Sequence, residues 1–294
     1  MGDAWKQHDS IAKMKSPLEN AEHDLEKAWR ACRPKSYARA EQLFHYTKKE
    51  NLLSILRTRA LWLSNVSTLK DTSELLYGRD IIKEVLLSRR PAQNSCLNLN
   101  GVVEKPQFFE SVRSCSYVAC FCLKGNLRSQ WIRYGAKGSG CALGFNRQIL
   151  EEHFQKHPLL ISDPMPMIYD RRRLERAVAC FLSKAEAVAT RFRLKGSDCE
   201  KFSDYFMFRS FLYALGMKKP CCSNELEWRI LQVSRAQKEP HLELSDIPPK
   251  VFATVTLGYK VDSKYEAELI DILKCNQLEH VKVRRSKVSL RALS

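Results

Sequence analysis

The sequence lacks the features that mark exported and membrane-spanning proteins. Nowhere in its 294 residues is there an uncharged apolar run long enough to cross a bilayer. Residues 1–20 contain no apolar stretch followed by the small-residue cleavage site that a signal peptide requires. We therefore predict a soluble cytoplasmic protein with no membrane partner.

The eleven cysteines lack a recognisable framework. Their number is odd, their spacing is irregular, and no paired Cys-x-x-Cys motif occurs, so no metal is predicted. Since no export signal precedes them, disulfides are not expected either. The cysteines are interpreted as reduced thiols that pack as small hydrophobic side chains.

The chain has no internal repeat and no low-complexity segment, but its charge is strongly one-sided. Lys and Arg number 49 against 33 Asp and Glu, which gives a formal net charge of +16. An excess of this size attracts polyanions, and DNA or RNA is the commonest polyanion in a cell. A generally basic, solvated exterior explains the same composition, and both interpretations stay open.

Short strands and helices follow one another without a regular β-α alternation. We predict an N-terminal helical appendage over residues 1–40, with a helix at 17–31, and a single domain over residues 41–294. The strands are predicted at 43–47, 61–64, 117–123, 141–145, 226–233 and 251–259. Residues 47–50 have the form of a capping box that opens a helix. The predicted fold class is α+β, with one mixed, mostly antiparallel sheet flanked by helices.

Residues 224–230 form the most informative stretch, because side chains alternate between the two faces of a strand. One face of this predicted strand is apolar. The other face carries Glu225, Glu227 and Arg229. Two carboxylates and a guanidinium are costly to bury unless the charges pair. This face is therefore either a solvated surface or the wall of a polar cleft.

Short motifs follow one another in a fixed order along the chain, at 43–47, 61–64, 70–74, 120–122, 130–135, 140–145 and 225–229. This ordered set is similar to the bacterial family called domain of unknown function 2971. The resemblance spans roughly residues 41–290 and conveys little about chemistry.

A second set of features resembles the ADP-ribosyltransferase superfamily. These features are an opening His-x-Thr strand, a capped helix, a Leu-rich second strand and a late strand with Glu-x-Glu. The resemblance implies an ADP-ribosyltransferase-like fold and NAD as the substrate. It implies that His45 binds an NAD ribose, that Thr47 lies beside it, and that Glu227 is the catalytic carboxylate with Glu225 near the acceptor.

Two further positions are candidates within this resemblance. The superfamily often has a tyrosine in the second element, where this chain offers Trp62 and Ser64, and Ser64 is taken as cofactor-binding. Arg229 could bind the pyrophosphate or hold Glu227 in its rotamer. Trp131 and Tyr134 are predicted to be core residues, because they are three apart on a short helix.

The predicted carboxylates suit the cleavage of an N-glycosidic bond. Breaking the bond between nicotinamide and ribose builds positive charge on the sugar, and a fixed carboxylate stabilises that charge. A second carboxylate on the same strand face lies about 7 Å away. There it could take a proton from the attacking group.

Two other functions remain as alternatives. A metal-dependent nuclease would use Asp71, Glu74, Glu225 and Glu227 to hold Mg²⁺ beside a phosphodiester. A non-catalytic protein would bind nucleic acid or a protein partner that the sequence does not identify.

For the ADP-ribosyltransferase hypothesis, the strongly basic charge favours nucleic acid as the acceptor. The family resemblance suggests a toxin or phage-defence setting for such an enzyme.

Overall fold

A computed structural model describes residues 16–33, 40–69, 73–89, 96–97, 99, 106–155, 160–234 and 239–288. Within these residues the chain folds as α+β, and helices cover a single open sheet. Its strands form eight pairings, of which seven are antiparallel and one is parallel. The predicted mixed, mostly antiparallel sheet is thus confirmed.

The strands are β1 (Gln42–Thr47), β2 (Leu61–Asn65), β3 (Ser116–Cys122), β4 (Cys141–Asn146), β5 (Leu160–Pro166), β6 (Glu227–Val233), β7 (His241–Leu244), β8 (Phe252–Leu257) and β9 (Lys282–Arg285). Seven of these nine described strands lie in the order β5-β6-β3-β1-β4-β8-β9, and β2 pairs with both β3 and β7. The parallel pair is β8 with β9. That the fold is ADP-ribosyltransferase-like stays a prediction.

Helices cover both faces of this sheet, each through an apolar stripe. Their bounds are α1 (Pro17–Cys32), α2 (Lys49–Thr58), α3 (Ser73–Ser88), α4 (Pro106–Ser114), α5 (Arg128–Arg133), α6 (Arg147–Gln155), α7 (Arg171–Arg191), α8 (Ser197–Ala214) and α9 (Ser263–Cys275). The larger core lies between one sheet face and α1, α3, α4, α7 and α8. A second core lies under α2, α6 and α9 on the opposite face.

A third, small cluster positions the candidate site. Phe44 and Tyr46 of β1 pack with the buried Trp131 of α5, and the Tyr46 and Trp131 rings meet edge to face at 4.9 Å. This cluster shares a sheet face with the larger core. Between the small cluster and the larger core, this sheet face carries the polar side chains Glu227 and Arg229 of β6.

The edge of β3 has a gap in its strand pairing. β2 pairs with its first residues at Tyr117 and Val118, whereas β1 pairs with it at Cys122. Within the described residues, 119–121 have no strand partner on that edge. A side chain or a ligand can therefore reach the backbone of β3 at this point.

The helix predicted within residues 1–40 is part of the larger core. It starts with a capping box between Ser16 and Glu19, and it buries Leu25 and Trp29 against α7 and α8. The Tyr213 hydroxyl donates a hydrogen bond to the carbonyl of Trp29 at 2.8 Å. Residues 1–15 and 34–39 lie outside the described residues, and the boundary at residue 40 stays a prediction.

The expectation that all thiols are reduced is wrong for one pair. The structure joins Cys96 to Cys199 of α8 by a disulfide across 103 residues. The remaining cysteines are free, and Cys32 and Cys180 place their sulfur atoms 2.8 Å apart. Sequence spacing gave no sign of the bond, because the two cysteines meet only through tertiary packing.

We expect alkylation of the unreduced, unfolded protein to leave Cys96 and Cys199 unmodified, because a disulfide sulfur does not react as a thiolate. Peptide mapping by mass spectrometry measures this, with Cys275 as an exposed free thiol that must be alkylated. After reduction all three should be modified. Full alkylation of Cys96 and Cys199 before reduction would contradict the bond.

Candidate functional site

The polar strand begins one residue later than the predicted strand at 226–233. β6 starts at Glu227, whereas Glu225 ends a short 3-10 helix, Pro220–Glu225. Leu226 between them has a left-handed backbone with φ of 50°. The prediction that Glu225 continues the strand face of Glu227 and Arg229 is therefore wrong. The two carboxylates approach each other from a turn and from a strand.

A buried lysine joins these two carboxylates. The Lys218 ammonium lies 2.6 Å from Glu225 Oε2 and 2.6 Å from Glu227 Oε2. Lys218, Glu225 and Glu227 are all buried, with exposed fractions of 3%, 4% and 7%. Lys218 was not among the predicted site residues, because in the sequence it is simply a lysine beside Lys219. The charged face is thus not a solvated surface. It is a buried network of ion pairs.

Backbone hydrogen bonds hold the chain at Lys218 in this position. Its amide donates to the carbonyl of Ile168 at 2.9 Å, and the Ile168 amide donates to the carbonyl of Gly216 at 2.7 Å. The Met167 amide in turn donates to the carbonyl of Glu227 at 2.9 Å. The chain after α8 is therefore fixed to the end of β5, which is itself fixed to β6.

Two arginines complete the network from opposite sides. Arg229 Nε donates to Glu227 Oε1 at 2.6 Å, and its Nη1 donates to the carbonyl of Leu215 at 2.9 Å. Since Arg229 is buried and bonds Glu227, its contacts match the second of its two predicted roles, holding that carboxylate. Arg133 of α5 is 56% exposed and pairs with Glu225 from the solvent side.

The charges fix the protonation state of the network. Burial acts to raise the pKa of Glu227, but attraction by Arg229 and Lys218 outweighs it and lowers the pKa to about 2. Burial likewise acts to lower the pKa of Lys218, yet the charge of Glu227 raises it above its ordinary value. Both groups are therefore ionised at neutral pH. A carboxylate with such a low pKa stabilises positive charge well and accepts protons poorly.

His45 of β1 occupies the gap beside β3. Its Nδ1 lies 2.9 Å from the carbonyl oxygen of Cys120, which can only accept, so Nδ1 carries the proton in this contact. Burial lowers the pKa of His45, although the bond to Cys120 opposes the shift. In the neutral ring, Nε2 then has the lone pair and can accept a hydrogen bond.

His45 and Glu227 line the same cavity, of about 60 Å³. Gln130, Tyr134 and Cys120 also line it, and its apolar walls are Phe44, Tyr46 and Phe121. The expectation that Trp131 is a core residue is confirmed, but for Tyr134 it is wrong. Tyr134 is 51% exposed, because the helix ends at Arg133, one residue before it. The spacing of three residues between Trp131 and Tyr134 does not predict where the helix ends.

A second cavity, of about 210 Å³, lies beside His45 between β1, α2 and β2. Thr47 lines it, as do Asn51, Ser54 and Trp62. The predicted capping role of Thr47 is wrong, since Lys48 is the N-cap and makes no side-chain cap bond. The Thr47 hydroxyl is therefore not committed to the helix start.

Three predicted site residues, Glu225, Arg229 and Ser64, line neither of these two cavities, and Ser64 is also outside the ion-pair network. It lies exposed on β2, opposite Val118 of β3 and His241 of β7. The structure thus brings His45, Glu225, Glu227 and Arg229 to one region, places Thr47 on the far side of His45, and leaves Ser64 apart.

The structure describes the side chains of only two of the four residues proposed for a nuclease, Glu225 and Glu227. The side chains of Asp71 and Glu74 lie outside the described residues. Between Glu225 and Glu227, the position that a cation would take is held by the Lys218 ammonium. Among the residues that the structure describes, no group of three or more His, Cys, Asp and Glu side chains is arranged to hold a metal ion.

None of the described helices combines the length and the hydrophobicity that a membrane span requires.

Comparison with protein families gives one match. The family described as "Protein of unknown function (DUF2971)" matches residues 130–230, which supports the first resemblance over that segment. The segment includes the ion-pair network and Tyr134 but not His45 or Thr47. No significant match was found among curated proteins or among solved structures. None of these comparisons supports the ADP-ribosyltransferase resemblance.

Replacing Lys218 by Met should lower the free energy of unfolding by about 3–5 kcal/mol, because it leaves two buried carboxylates without their shared cation. Urea unfolding measures the change. Lys219→Met is the matched control, since Lys219 is exposed and its loss should change stability by less than about 0.5 kcal/mol. Equal effects of the two substitutions would contradict the buried bridge.

Acid should destabilise the protein partly through Glu227. Its carboxylate has a pKa near 4.5 when unfolded and about 2 when folded, so the unfolded state binds the proton first as the pH falls. The contribution, about 3 kcal/mol, is present above pH 4.5 and is lost between pH 4.5 and 2. Glu227→Gln should flatten the pH dependence of the unfolding free energy in that window. The exposed Glu268→Gln should not, and an unchanged slope in both would contradict the assignment.

Proposed function

We propose that this protein is an ADP-ribosyltransferase-like enzyme that cleaves NAD at the cavity between His45 and Glu227. The observation that carries the proposal is that these two side chains, from β1 and β6, line one cavity. They are the two residues to which the superfamily resemblance assigns the ribose contact and the catalytic carboxylate. A toxin or phage-defence setting belongs to the same proposal.

In the proposed reaction, the bond between ribose C1′ and the nicotinamide nitrogen breaks. The electron pair leaves with nicotinamide, which becomes neutral, and the positive charge moves to the ribose. The Glu227 carboxylate stabilises this charge. An acceptor N–H or O–H then bonds to C1′ and releases its proton to solvent.

The other residues act by position. Nε2 of the neutral His45 ring accepts a hydrogen bond from a ribose hydroxyl. Lys218 and Arg229 hold Glu227 in one orientation, and Glu225 serves by orienting Lys218. The exposed Arg133 offers a cation for the pyrophosphate, a role that the buried Arg229 does not fit.

The size of the cavity adds a condition. Sites for small molecules typically enclose about 300–1,000 Å³, whereas this cavity measures about 60 Å³. It holds only part of NAD as it stands. The proposal therefore requires the half-exposed side chain of Tyr134 to move when the ligand enters.

Nicotinamide release from NAD, measured by chromatography with and without DNA or RNA, tests the proposal. We expect Glu227→Gln to lower the rate by about 100-fold or more, because it removes the charge that stabilises the transition state. His45→Ala should lower it as well. The control Glu268→Gln, on the exposed side of α9, should leave the rate unchanged.

Equal release by wild type and Glu227→Gln would refute this function. Circular dichroism and urea unfolding of each variant separate a loss of chemistry from a loss of fold. Salt-sensitive binding of nucleic acid without release of nicotinamide would instead favour the non-catalytic alternative.

A further inference from the structure

Trp62 is the most exposed of the large hydrophobic side chains that the structure describes, at 59%. It lies on the outer face of β2, directly opposite Glu243 of β7. Its ring stacks on His241, with centroids 4.1 Å apart and planes 19° apart. One face of the indole is thus supported while the side chain stays open to solvent and lines the second cavity.

The second cavity has apolar walls, and the polar side chains that also line it are mostly uncharged. Asn51, Ser54 and Thr58 recur along one side of α2, and Thr47 comes from β1. Glu243 contributes the carboxylate, and the Trp62 indole N–H donates to it at 3.4 Å. An aromatic surface beside hydroxyls, an amide and one carboxylate fits a planar ring attached to a sugar.

The carboxylate selects among such rings. A carboxylate only accepts hydrogen bonds, so it favours a ring edge with adjacent N–H donors. Guanine offers N1–H and the exocyclic N2 amine side by side. The corresponding edge of adenine places the acceptor N1 beside its amine, which would face the negative charge.

We propose that the second cavity binds a guanine nucleotide, with Trp62 stacking on the base, Glu243 accepting from its N–H edge and the α2 side chains contacting the ribose. Because His45 lines both cavities, a ligand here lies one side chain away from the NAD site. That this nucleotide is the acceptor of ADP-ribose rests on the proposed function; that it binds does not.

Calorimetric titration with guanosine monophosphate, without NAD, tests the binding. We expect Trp62→Ala to weaken binding at least about tenfold, as loss of a stacking surface does elsewhere, and Trp62→Phe to keep most of the affinity. Glu243→Gln should reduce the preference for guanosine over adenosine monophosphate. Tyr134→Ala, in the first cavity, should leave the guanosine affinity unchanged.

Fluorescence gives an independent measurement. Among the described tryptophans, Trp29, Trp131 and Trp228 are at most 2% exposed, so acrylamide should quench mainly Trp62. Trp5 lies outside the described residues, and a Trp5→Phe background removes its signal. Bound guanosine monophosphate should protect the remaining exposed indole from quenching.

Three results would overturn the proposal: no binding by wild type, equal binding by wild type and Trp62→Ala, or equal binding of ribose 5-phosphate, which lacks a base. A short single-stranded oligoribonucleotide containing guanine distinguishes a base within RNA from a free nucleotide, since only the first would bind much more tightly. Guanosine binding without nicotinamide release would refute the proposed enzyme and leave this site intact.

Discussion

The structure of the site depends on one ammonium group, that of Lys218. Two carboxylates can be buried side by side only if a cation lies between them, and Lys218 lies 2.6 Å from both. Replacing a buried ion pair by hydrocarbon of similar volume is often neutral or stabilising. The network is therefore better understood as a device that orients Glu227 than as a source of stability. Its position depends on the backbone bonds that tie the end of α8 to β5.

The same network limits what Glu227 can do. A general base works best when its pKa is near the working pH, whereas Glu227 has a pKa of about 2. Under the proposed function it acts through its fixed negative charge, and the proton of the attacking group must go elsewhere. His45 lines both cavities, and burial keeps its ring neutral at neutral pH. Glu227 would thus supply the fixed charge and His45 the ribose contact, while the proton passes to solvent.

Periodicity predicted the elements well and the site only in part. The strand predicted at 141–145 is observed as Cys141–Asn146, and the alternation of Trp228 with Glu227 and Arg229 holds in β6. The error at Glu225 comes from the left-handed backbone of Leu226. This conformation is uncommon for any residue other than glycine, so the sequence does not predict it. Lys218 and Lys219 are indistinguishable in sequence, and only contacts with a distant strand bury the first. Such long-range contacts leave no local pattern.

The family match divides the site along the chain. Residues 130–230 hold the ion-pair network together with Gln130 and Tyr134, whereas His45 and Trp62 lie before that segment. The carboxylate and its supports therefore belong to the part that resembles the family, and the gap in the sheet and the second cavity require β1, α2 and β2. In this arrangement the matched segment supplies the fixed charge. The preceding elements supply the histidine that connects this charge to the second cavity, because His45 of β1 lines both cavities.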